Sequence, residues 1–234
     1  MKILYVTDVH GGRETYEGLF ELAEKKDIKA VFIGGDICPG FNSLMQREFL
    51  KKYLIPRARK FRKKAGKPVF IIMGNDDLAA NRDLFEEAEK EGLWNYVHMK
   101  AARLGRFTVI GYTCINPTPF MLKDWEREEE ELGNDMKRLA KMAEGKRVII
   151  LFHTPPFGTS LDVLHDGSHV GSIAIAEFIK KRSPAVTFHG HIHESPAMTG
   201  VIAERIGRTL AINPGSRNII AIDIEKLDEI EILM

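Results

Sequence analysis

Each of five short apolar runs in the sequence leads directly into a side chain that can bind a metal ion. The seven side chains singled out in this way are Asp8, His10, Asp36, Asn75, His153, His191 and His193. In an open α/β sheet, ligands bind outside the carboxyl ends of the strands, so five strand ends would bring these groups to one place. Chance explains one or two such coincidences and is a poor explanation of five. The sequence therefore predicts a metal site at the carboxyl edge of a sheet.

Spacing within two of these groups adds to the prediction. Asp8 and His10 are two residues apart, as are His191 and His193, and such side chains point the same way in an extended chain. Each pair would bind one metal from one side or supply one ligand to each of two metals. The set of Asp, Asn and His suits Mn²⁺, Fe, Ni²⁺ or Zn²⁺ and disfavours an iron–sulfur or Cys-zinc site. One metal does not need seven ligands, whereas two metals that share a carboxylate would use them.

The elements that must position these groups are short strands separated by helices. The apolar runs are continuous and rich in β-branched residues, which is typical of strands covered on both faces. We predict strands at Ile3–Thr7, Ala30–Ile33, Val69–Met73, Arg147–Phe152 and Ala185–Phe188. Helical spacing of apolar residues follows the first strand and precedes the last, and this alternation implies a layered α/β fold.

The last part of the sequence has a different pattern. Strand-like runs at Thr209–Ile212, Asn218–Ile224 and Glu229–Leu233 predict a closing β meander. There is no internal repeat, low-complexity segment or linker, so residues 1–234 are expected to form a single domain.

Composition excludes several classes of protein. The chain has 234 residues, a formal net charge of +1, 44% hydrophobic residues and 29% charged residues, values that are ordinary for a globular protein and exclude a disordered chain. The near-zero net charge argues against extensive coating of nucleic acid. Two cysteines are too few for a disulfide framework. No apolar run approaches the roughly 18 residues of a membrane span, and no signal peptide is recognisable, so we expect a cytoplasmic protein without a membrane partner.

The blocks Asp8-x-His10, Gly35-Asp36, Gly74-Asn75-Asp76, His153 and Gly190-His191-Ile-His193 resemble, in order and spacing, the calcineurin-like metallophosphoesterase superfamily. The segments His153-Thr-Pro-Pro-Phe-Gly-Thr and His169-Val-Gly-Ser are similar to its compact, single-domain, prokaryotic Icc-like branch. The resemblance implies an α/β fold in which a sandwich of two mixed sheets is flanked by helices in four layers, with two divalent metals at its edge.

The resemblance also implies a role for each residue. Asp8, His10 and His193 would hold the first metal, and Asp36 would bridge both metals. Asn75, His153 and His191 would hold the second. Two cations at roughly 3.5–4 Å would lower the pKa of a bridging water and clamp the phosphoryl oxygens. The resulting hydroxide would attack phosphorus in a small phosphate-ester substrate.

One position departs from the family pattern. Many members have His where this chain has Asp76, and that His is credited with assisting the leaving group or binding phosphate. An Asp carboxylate is a poor proton donor near neutral pH, and neighbouring cations should lower its pKa further. We therefore expect weaker leaving-group protonation, or protonation by His98 or His169. This favours phosphodiesters over alkyl monoesters, with Asp36, Asn75, Asp76 and His169 as the candidate catalytic residues.

The other histidines receive less specific predictions. His189 is predicted to support the site or the core, because the set of ligands is already full. His98 is predicted to be structural, in an edge-like strand after Trp94. His165, His169 and Asp162 lie in a loop that follows a predicted metal ligand and could face a substrate.

Three other functions compete with a phosphodiesterase. A non-catalytic scaffold of the same fold stays open because of Asp76, although every ligand position is filled. A nuclease would draw on the basic block Lys51–Lys64, which is better explained as the solvated face of a helix. A Ser/Thr protein phosphatase fits less well, given the short chain and Asp76. The sequence is silent on the oligomeric state.

Overall fold

Two six-stranded sheets contain the apolar runs of the sequence. The computed structural model describes residues 1–227 and 229–234, and the strands in this part of the chain divide equally between the two sheets. The first sheet contains β1 (Lys2–Val6), β2 (Ile28–Ile33), β3 (Val69–Ile71), β4 (Asn95–Tyr96), β11 (Ile220–Asp223) and β12 (Ile230–Ile232). The second contains β5 (Ala101–Leu104), β6 (Phe107–Tyr112), β7 (Arg147–Phe152), β8 (Val186–Phe188), β9 (Ala203–Ile206) and β10 (Thr209–Ile212).

Both sheets are mixed, with a parallel centre. The first has the order β12-β11-β1-β2-β3-β4, in which β1 to β4 are parallel and β11 and β12 are antiparallel additions. The second has the order β5-β6-β7-β8-β10-β9, in which β6, β7, β8 and β10 are parallel. Parallel neighbours end on the same side, so each sheet presents the loops after its central strands at one edge.

Helices cover the outer faces of the sheets. They are α1 (Arg13–Glu24), α2 (Ser43–Phe49), α3 (Ile55–Ala65), α4 (Arg82–Lys90), α5 (Glu129–Ala143), α6 (Ile173–Arg182) and α7 (Ser195–Thr199). A π-helical turn at Leu50–Leu54 joins α2 to α3, and a 3-10 turn at Ala79–Asn81 precedes α4. No helix in the described residues is long and apolar enough to cross a membrane.

Alternation along the strands creates two cores. Ile3 and Tyr5 of β1 belong to the apolar cluster between the sheets, while Leu4 and Val6 belong to the cluster between sheet and helices. Successive residues of a strand point to opposite faces, so both faces of a central strand must be apolar. This explains why the runs are continuous, and it confirms the predicted two-sheet sandwich with helices on both sides.

The predicted β meander is wrong. The run at Thr209–Ile212 is β10, which pairs with β9 in the second sheet, whereas β11 and β12 extend the first sheet. The turn-rich segment 213–216 carries the chain from one sheet to the other. Pairing of β11 with β1 joins segments distant in sequence, and local pattern does not encode such a contact.

Candidate metal centre

Hydrogen bonds between loops extend the parallel pairing of the sheets beyond the strand ends. The amide of Asp8 donates to the carbonyl of Gly35 at 3.0 Å, and the amide of His10 donates to the carbonyl of Asp36 at 2.8 Å. In the second sheet the amide of Gly190 donates to the carbonyl of His153 at 2.9 Å. The loops after neighbouring strands are therefore fixed relative to one another, and so are the side chains that they present.

The backbone of the site is strained. Among the described residues, eight residues other than glycine have a positive φ, and four of them are predicted metal ligands: Asp8 (53°), His10 (46°), Asp36 (48°) and His191 (64°). Such residues cost free energy and cluster at functional sites. The premise that Asp8 and His10, or His191 and His193, share a side of an extended chain is therefore wrong. These pairs lie in tight loops, and the loop conformation brings them together.

One group of donor atoms surrounds Asp8. Its Oδ1 lies 2.9 Å from Nε2 of His193. His10 Nε2 lies 3.4 Å from the same nitrogen of His193 and 3.9 Å from Oδ2 of Asp36. One ligand atom from each of these four residues lies within 4.8 Å of all the others. Asp8, His10, Asp36 and His193 can thus surround a single cation.

A second group surrounds His153. Its Nδ1 donates to the carbonyl of Gly34 at 2.9 Å, so Nε2 carries the lone pair when the ring is neutral. That nitrogen faces Oδ1 of Asn75 at 3.0 Å and Oδ2 of Asp36 at 3.3 Å. The ring of His191 lies beside it, with ring centroids 5.4 Å apart. Asp36 thus lies between the two groups.

The chemistry of these donors fits divalent cations. Three acceptor atoms lie together: Nε2 of neutral His153, Oδ1 of Asn75 and Oδ2 of Asp36. This arrangement is unfavourable unless a positive charge lies among them. The carboxylates of Asp8 and Asp36 are 0% and 2% exposed. Within residues 1–227 and 229–234, their ion-pair partners are imidazoles, never lysine or arginine. Carboxylate, amide and imidazole donors suit first-row divalent metals.

In the metal-free chain, the imidazoles have divergent pKa values. Burial alone would lower the pKa of His153, but Asp36 and Asp8 outweigh it and raise that pKa to about 10. Burial and the neighbouring His153 lower the pKa of His191 to about 4. For Asp36, burial is outweighed by His153 and His10, so its pKa lies below the usual value. A proton on His153 offsets the buried negative charge when no metal is bound.

Gly74 and Gly190 leave room for the carboxylates of Asp36 and Asp8, because neither glycine has a side chain. A Cβ at Gly74 would collide with the side chain and amide of Asp36, and a Cβ at Gly190 would collide with the side chains of Asp8 and Thr7. Neither glycine has a positive φ. Both are therefore required for close approach, not for backbone conformation.

Asp76 lies half-buried at the mouth of the site. Its Oδ1 accepts from Nδ2 of Asn75 at 2.8 Å, which turns the amide oxygen of Asn75 towards His153. Its Oδ2 lies 3.7 Å from Nδ1 of His10. Burial and Asp36 raise the pKa of Asp76 to about 7 in the metal-free chain. Bound cations would act in the opposite direction.

Asp77 is a positioning residue that the sequence analysis missed. Its buried carboxylate accepts from the amides of Ile37 at 3.0 Å, Cys38 at 2.8 Å and Gly74 at 2.9 Å. It thereby ties the loop after β2 to the loop after β3, and these loops carry Asp36 and Asn75. The available signal was a second acid directly after Asp76 at a strand end.

The loop after β7 is organised around Asp162. This carboxylate is fully buried and accepts from the amides of Thr159 and Gly171, each at 2.9 Å. It also contacts Nδ1 of His169 at 2.8 Å, which leaves Nε2 of that ring for a ligand. His165 is exposed, and its Nδ1 lies 3.3 Å from Sδ of Met198.

His98 and His189 are structural. The amide of Thr113 donates to Nδ1 of His98 at 3.0 Å, and the ring lies between Tyr96 and Tyr112. Burial lowers the pKa of His98 to about 4. Both ring nitrogens of His189 bond protein groups, the carbonyl of Thr154 at 2.9 Å and Oγ1 of Thr187 at 2.8 Å. The expectation that His98 could protonate a leaving group is therefore wrong, and of the two candidates only His169 lines the site.

A cavity of about 980 Å³ opens onto the centre. Asp36, Asn75, Asp76, His191 and His193 line its floor, and His169 lines its wall. Cavities of roughly 300–1,000 Å³ are typical of small-molecule sites.

Comparison with known proteins agrees with this geometry. The model for the calcineurin-like phosphoesterase family matches residues 1–195. Among solved structures, TT1561 of Thermus thermophilus is 19% identical, with a TM-score of 0.74 and coverage of 99% of this chain and 97% of that one. A putative 5'-nucleotidase from Staphylococcus aureus in complex with alpha-ketoglutarate is 16% identical, with a TM-score of 0.55 and coverage of 99% and 52%.

A further solved structure is GAP50, the anchor in the inner membrane complex of Plasmodium. It is 12% identical, with a TM-score of 0.59 and coverage of 100% of this chain and 88% of that one. At these identities the likeness shows the fold alone. No curated protein sequence matches this chain.

Proposed function

The chain belongs to the calcineurin-like phosphoesterase family, a family of metal-dependent hydrolases of phosphate esters, and from this premise we propose that it is a phosphodiesterase with two metal ions. Its substrates would be small phosphodiesters or nucleotides. The observation that carries the proposal is the convergence of seven donor side chains from both sheets, four of which (Asp36, Asn75, His191 and His193) line the floor of one cavity. When bound, two divalent cations lower the pKa of water and clamp phosphoryl oxygens.

Asp36 is the residue that both groups of donors share. Its Oδ2 lies 3.9 Å from Nε2 of His10 and 3.3 Å from Nε2 of His153. The amide of Asp76 donates to its other oxygen at 2.8 Å, which fixes the plane of the carboxylate. Asp36 would hold both cations, with Asp8, His10 and His193 holding one of them and Asn75, His153 and His191 holding the other.

His169 is the proposed proton donor to the leaving group. Its Nδ1 is held by the buried Asp162, so Nε2 is the ring nitrogen available at the cavity wall. A general acid assists most when the leaving group is poor. The variant His169→Asn should lose far more activity on alkyl diesters than on p-nitrophenyl diesters. Equal losses on both substrates would assign His169 a structural role.

Asp76 favours diesters through its charge. A phosphomonoester carries up to two negative charges near neutral pH, and a diester carries one. A carboxylate at the cavity floor repels the monoester more strongly. The imidazole that many family members have at this position is also absent here, because the chain has Asp76.

The test is hydrolysis of bis-p-nitrophenyl phosphate and p-nitrophenyl phosphate by metal-stripped protein, with Mn²⁺, Ni²⁺, Zn²⁺, Mg²⁺ or no metal added. We expect metal-dependent turnover with the diester above the monoester, and loss of turnover in Asp36→Asn. Preference for the monoester would overturn the diesterase assignment. Stoichiometric metal binding without turnover would favour a scaffold, a role compatible with a fold that is also found in an anchor protein such as GAP50.

Nuclease activity has less support. In the basic block, Lys52 pairs with Glu48, Arg57 with Glu17, Arg59 with Glu91 and Lys64 with Glu24. These pairs neutralise much of the charge that a phosphate backbone would need. A salt-sensitive affinity for DNA would reverse this judgement.

A further inference from the structure

The wall of the cavity is apolar and exposed, in contrast to its polar floor. Phe41 is 67% exposed, Phe120 63%, Met121 96%, Phe157 42% and Ile173 49%, and all of them line the cavity. We call these five residues and Leu164 the apolar vestibule. An exposed apolar patch that is continuous with a polar site is typical of a ligand-binding surface.

Part of the vestibule is built by loops that also hold residues of the proposed metal site. Phe41 follows Asp36 in the loop after β2, and Phe157 follows His153 in the loop after β7. Phe120 and Met121 lie in the segment between β6 and α5, and Ile173 is the first residue of α6. A ligand held at the floor would therefore pass directly between these side chains.

The charges of the cavity exclude a polyanionic ligand. Among the described residues, its lining contains no lysine or arginine, and Glu129 and Glu194 are the charged groups beyond the floor. Phosphate groups outside the metal centre would meet apolar and acidic side chains and the polar side chains of Asn116, Thr118 and His169, but no lysine or arginine of the described residues. An apolar group at the same place would remove both its own surface and that of the vestibule from water.

We propose that the vestibule binds an alkyl or prenyl chain that is esterified to the phosphate of the substrate. This proposal rests on the proposed function, because it places the phosphodiester at the floor. In the reaction, water adds to phosphorus, the bond from phosphorus to the leaving-group oxygen breaks, and that oxygen takes up a proton. The chain stays in the vestibule as part of the product, an alkyl phosphate monoester.

The test uses methyl, butyl and octyl p-nitrophenyl phosphate, which share one leaving group and differ only in the chain. All are kept below the concentration at which the octyl ester aggregates. Burial of one methylene is worth up to about fourfold in affinity, so kcat/KM for the octyl ester should exceed that for the methyl ester by at least about tenfold. In Phe120→Ser and Met121→Ser the ratio of octyl to methyl should fall towards one.

The matched control is Leu44→Ser. Leu44 is 75% exposed and does not line the cavity, so the ratio should stay as in the wild type. Equal kcat/KM for the methyl and octyl esters would overturn the proposal while the diesterase function stands. A chain-length preference that survives in Phe120→Ser and Met121→Ser would overturn it too.

Failure of the phosphodiesterase function can be distinguished from failure of the vestibule proposal. If no ester is hydrolysed with any metal, calorimetric titration with octylphosphonate and methylphosphonate reports on the vestibule alone. Tighter binding of octylphosphonate by about tenfold, lost in Phe120→Ser, would support an apolar ligand site, and equal binding would overturn it. Sedimentation with phosphatidylcholine vesicles that depends on Met121, without any chain-length preference, would assign the patch to a membrane surface instead.

Discussion

The carboxylate of Asp77 holds together two loops of the metal centre. It is fully buried, and burial together with Asp36 raises its pKa to about 6. Asparagine would keep the size but replace one acceptor oxygen with a donor that faces backbone amides. Asp77→Asn should lower the free energy of unfolding by about 1–3 kcal/mol and weaken metal binding. Denaturant unfolding and metal titration measure the two effects.

The control for Asp77 is Asp166→Asn. Asp166 is exposed, and its carboxylate accepts hydrogen bonds from its near neighbour Ser168, at 2.5 Å from Oγ and 2.9 Å from the amide. The Asp166→Asn substitution should leave both the free energy of unfolding and the metal affinity unchanged. An Asp77→Asn protein with wild-type metal affinity would show that the loops hold their positions without this carboxylate.

Asp76 offers a test of substrate preference. Replacement by histidine removes a carboxylate from the cavity floor and introduces a group that can donate a proton. Asp76→His should raise the ratio of monoester to diester turnover by about tenfold, because it removes a negative charge that repels the monoester, with up to two negative charges, more strongly than the diester. Steady-state kinetics on the two p-nitrophenyl substrates measure the ratio. A ratio unchanged from wild type would show that Asp76 does not set the preference.

Residue types at strand ends were sufficient to identify side chains that the structure brings together. Asp8, Asp36 and His153 could be recognised because each follows a run that must be a strand. Their backbone conformations could not be predicted, because a positive φ in Asp8 or Asp36 is imposed by contacts with distant loops. The same limit applies to Asp77, whose partners lie up to 40 residues away in the chain.

At the scale of elements, five strands with continuous apolar runs were predictable, whereas β6, which is also largely buried, and its partner β5 were not. Arg147–Phe152 was predicted with its observed bounds, because its continuous apolar pattern has one explanation. The hairpin of β5 and β6 was missed, since β5 is half-exposed and lacks an apolar run. Segments of the C-terminal part were recognised as strands but wrongly grouped into one meander, because pairing partners are decided by tertiary contacts.

In the loop between β8 and α7, Gly190 lies so close to Asp8 that there is no room for a side chain. Gly190→Ala would push its methyl group into the carboxylate of Asp8, which accepts from the amide of His191 at 3.1 Å. We expect weaker metal binding and a lower free energy of unfolding by about 1–3 kcal/mol, as for other overpacked sites. Metal titration and thermal unfolding measure the change.

Gly133→Ala is the matched control for this substitution. A Cβ at Gly133 meets nothing within 4 Å, and the residue lies inside α5. Alanine there should raise the free energy of unfolding by about 0.5–1 kcal/mol through helix propensity. If Gly190→Ala behaved like Gly133→Ala, the close approach to Asp8 would not matter for binding.

At the scale of the whole molecule, His98 should weaken the fold in acid. Burial lowers the pKa of His98 to about 4, compared with about 6.5 in an unfolded chain. The charges of Arg82 and Arg127 lower this pKa too, whereas the charge of Asp135 acts in the opposite direction. The unfolded state therefore binds the proton more tightly between these values. Stability from this group is complete above pH 6.5 and is lost as pH falls to about 4, at up to about 1.4 kcal/mol per pH unit.

The variant His98→Asn isolates this effect, since the amide oxygen can accept from Thr113 but does not titrate. The slope of unfolding free energy against pH between 6.5 and 4 should be smaller than in the wild type. The exposed His165→Asn should keep the wild-type slope. Identical slopes in all three proteins would show that His98 does not contribute to acid unfolding.

Metal binding should stabilise the molecule as a whole, because the donors come from both sheets. Asp8, Asp36 and Asn75 follow strands of the first sheet, while His153, His191 and His193 follow strands of the second, so a bound cation connects the two layers. A ligand at a hundred times its Kd stabilises the folded state by about 2.7 kcal/mol. Tm should therefore rise with metal concentration and fall with a chelator, and the rise should vanish in Asp36→Asn but persist in His165→Asn. A rise of equal size in Asp36→Asn would mean that the metal binds elsewhere and that the shared carboxylate does not join the two sheets.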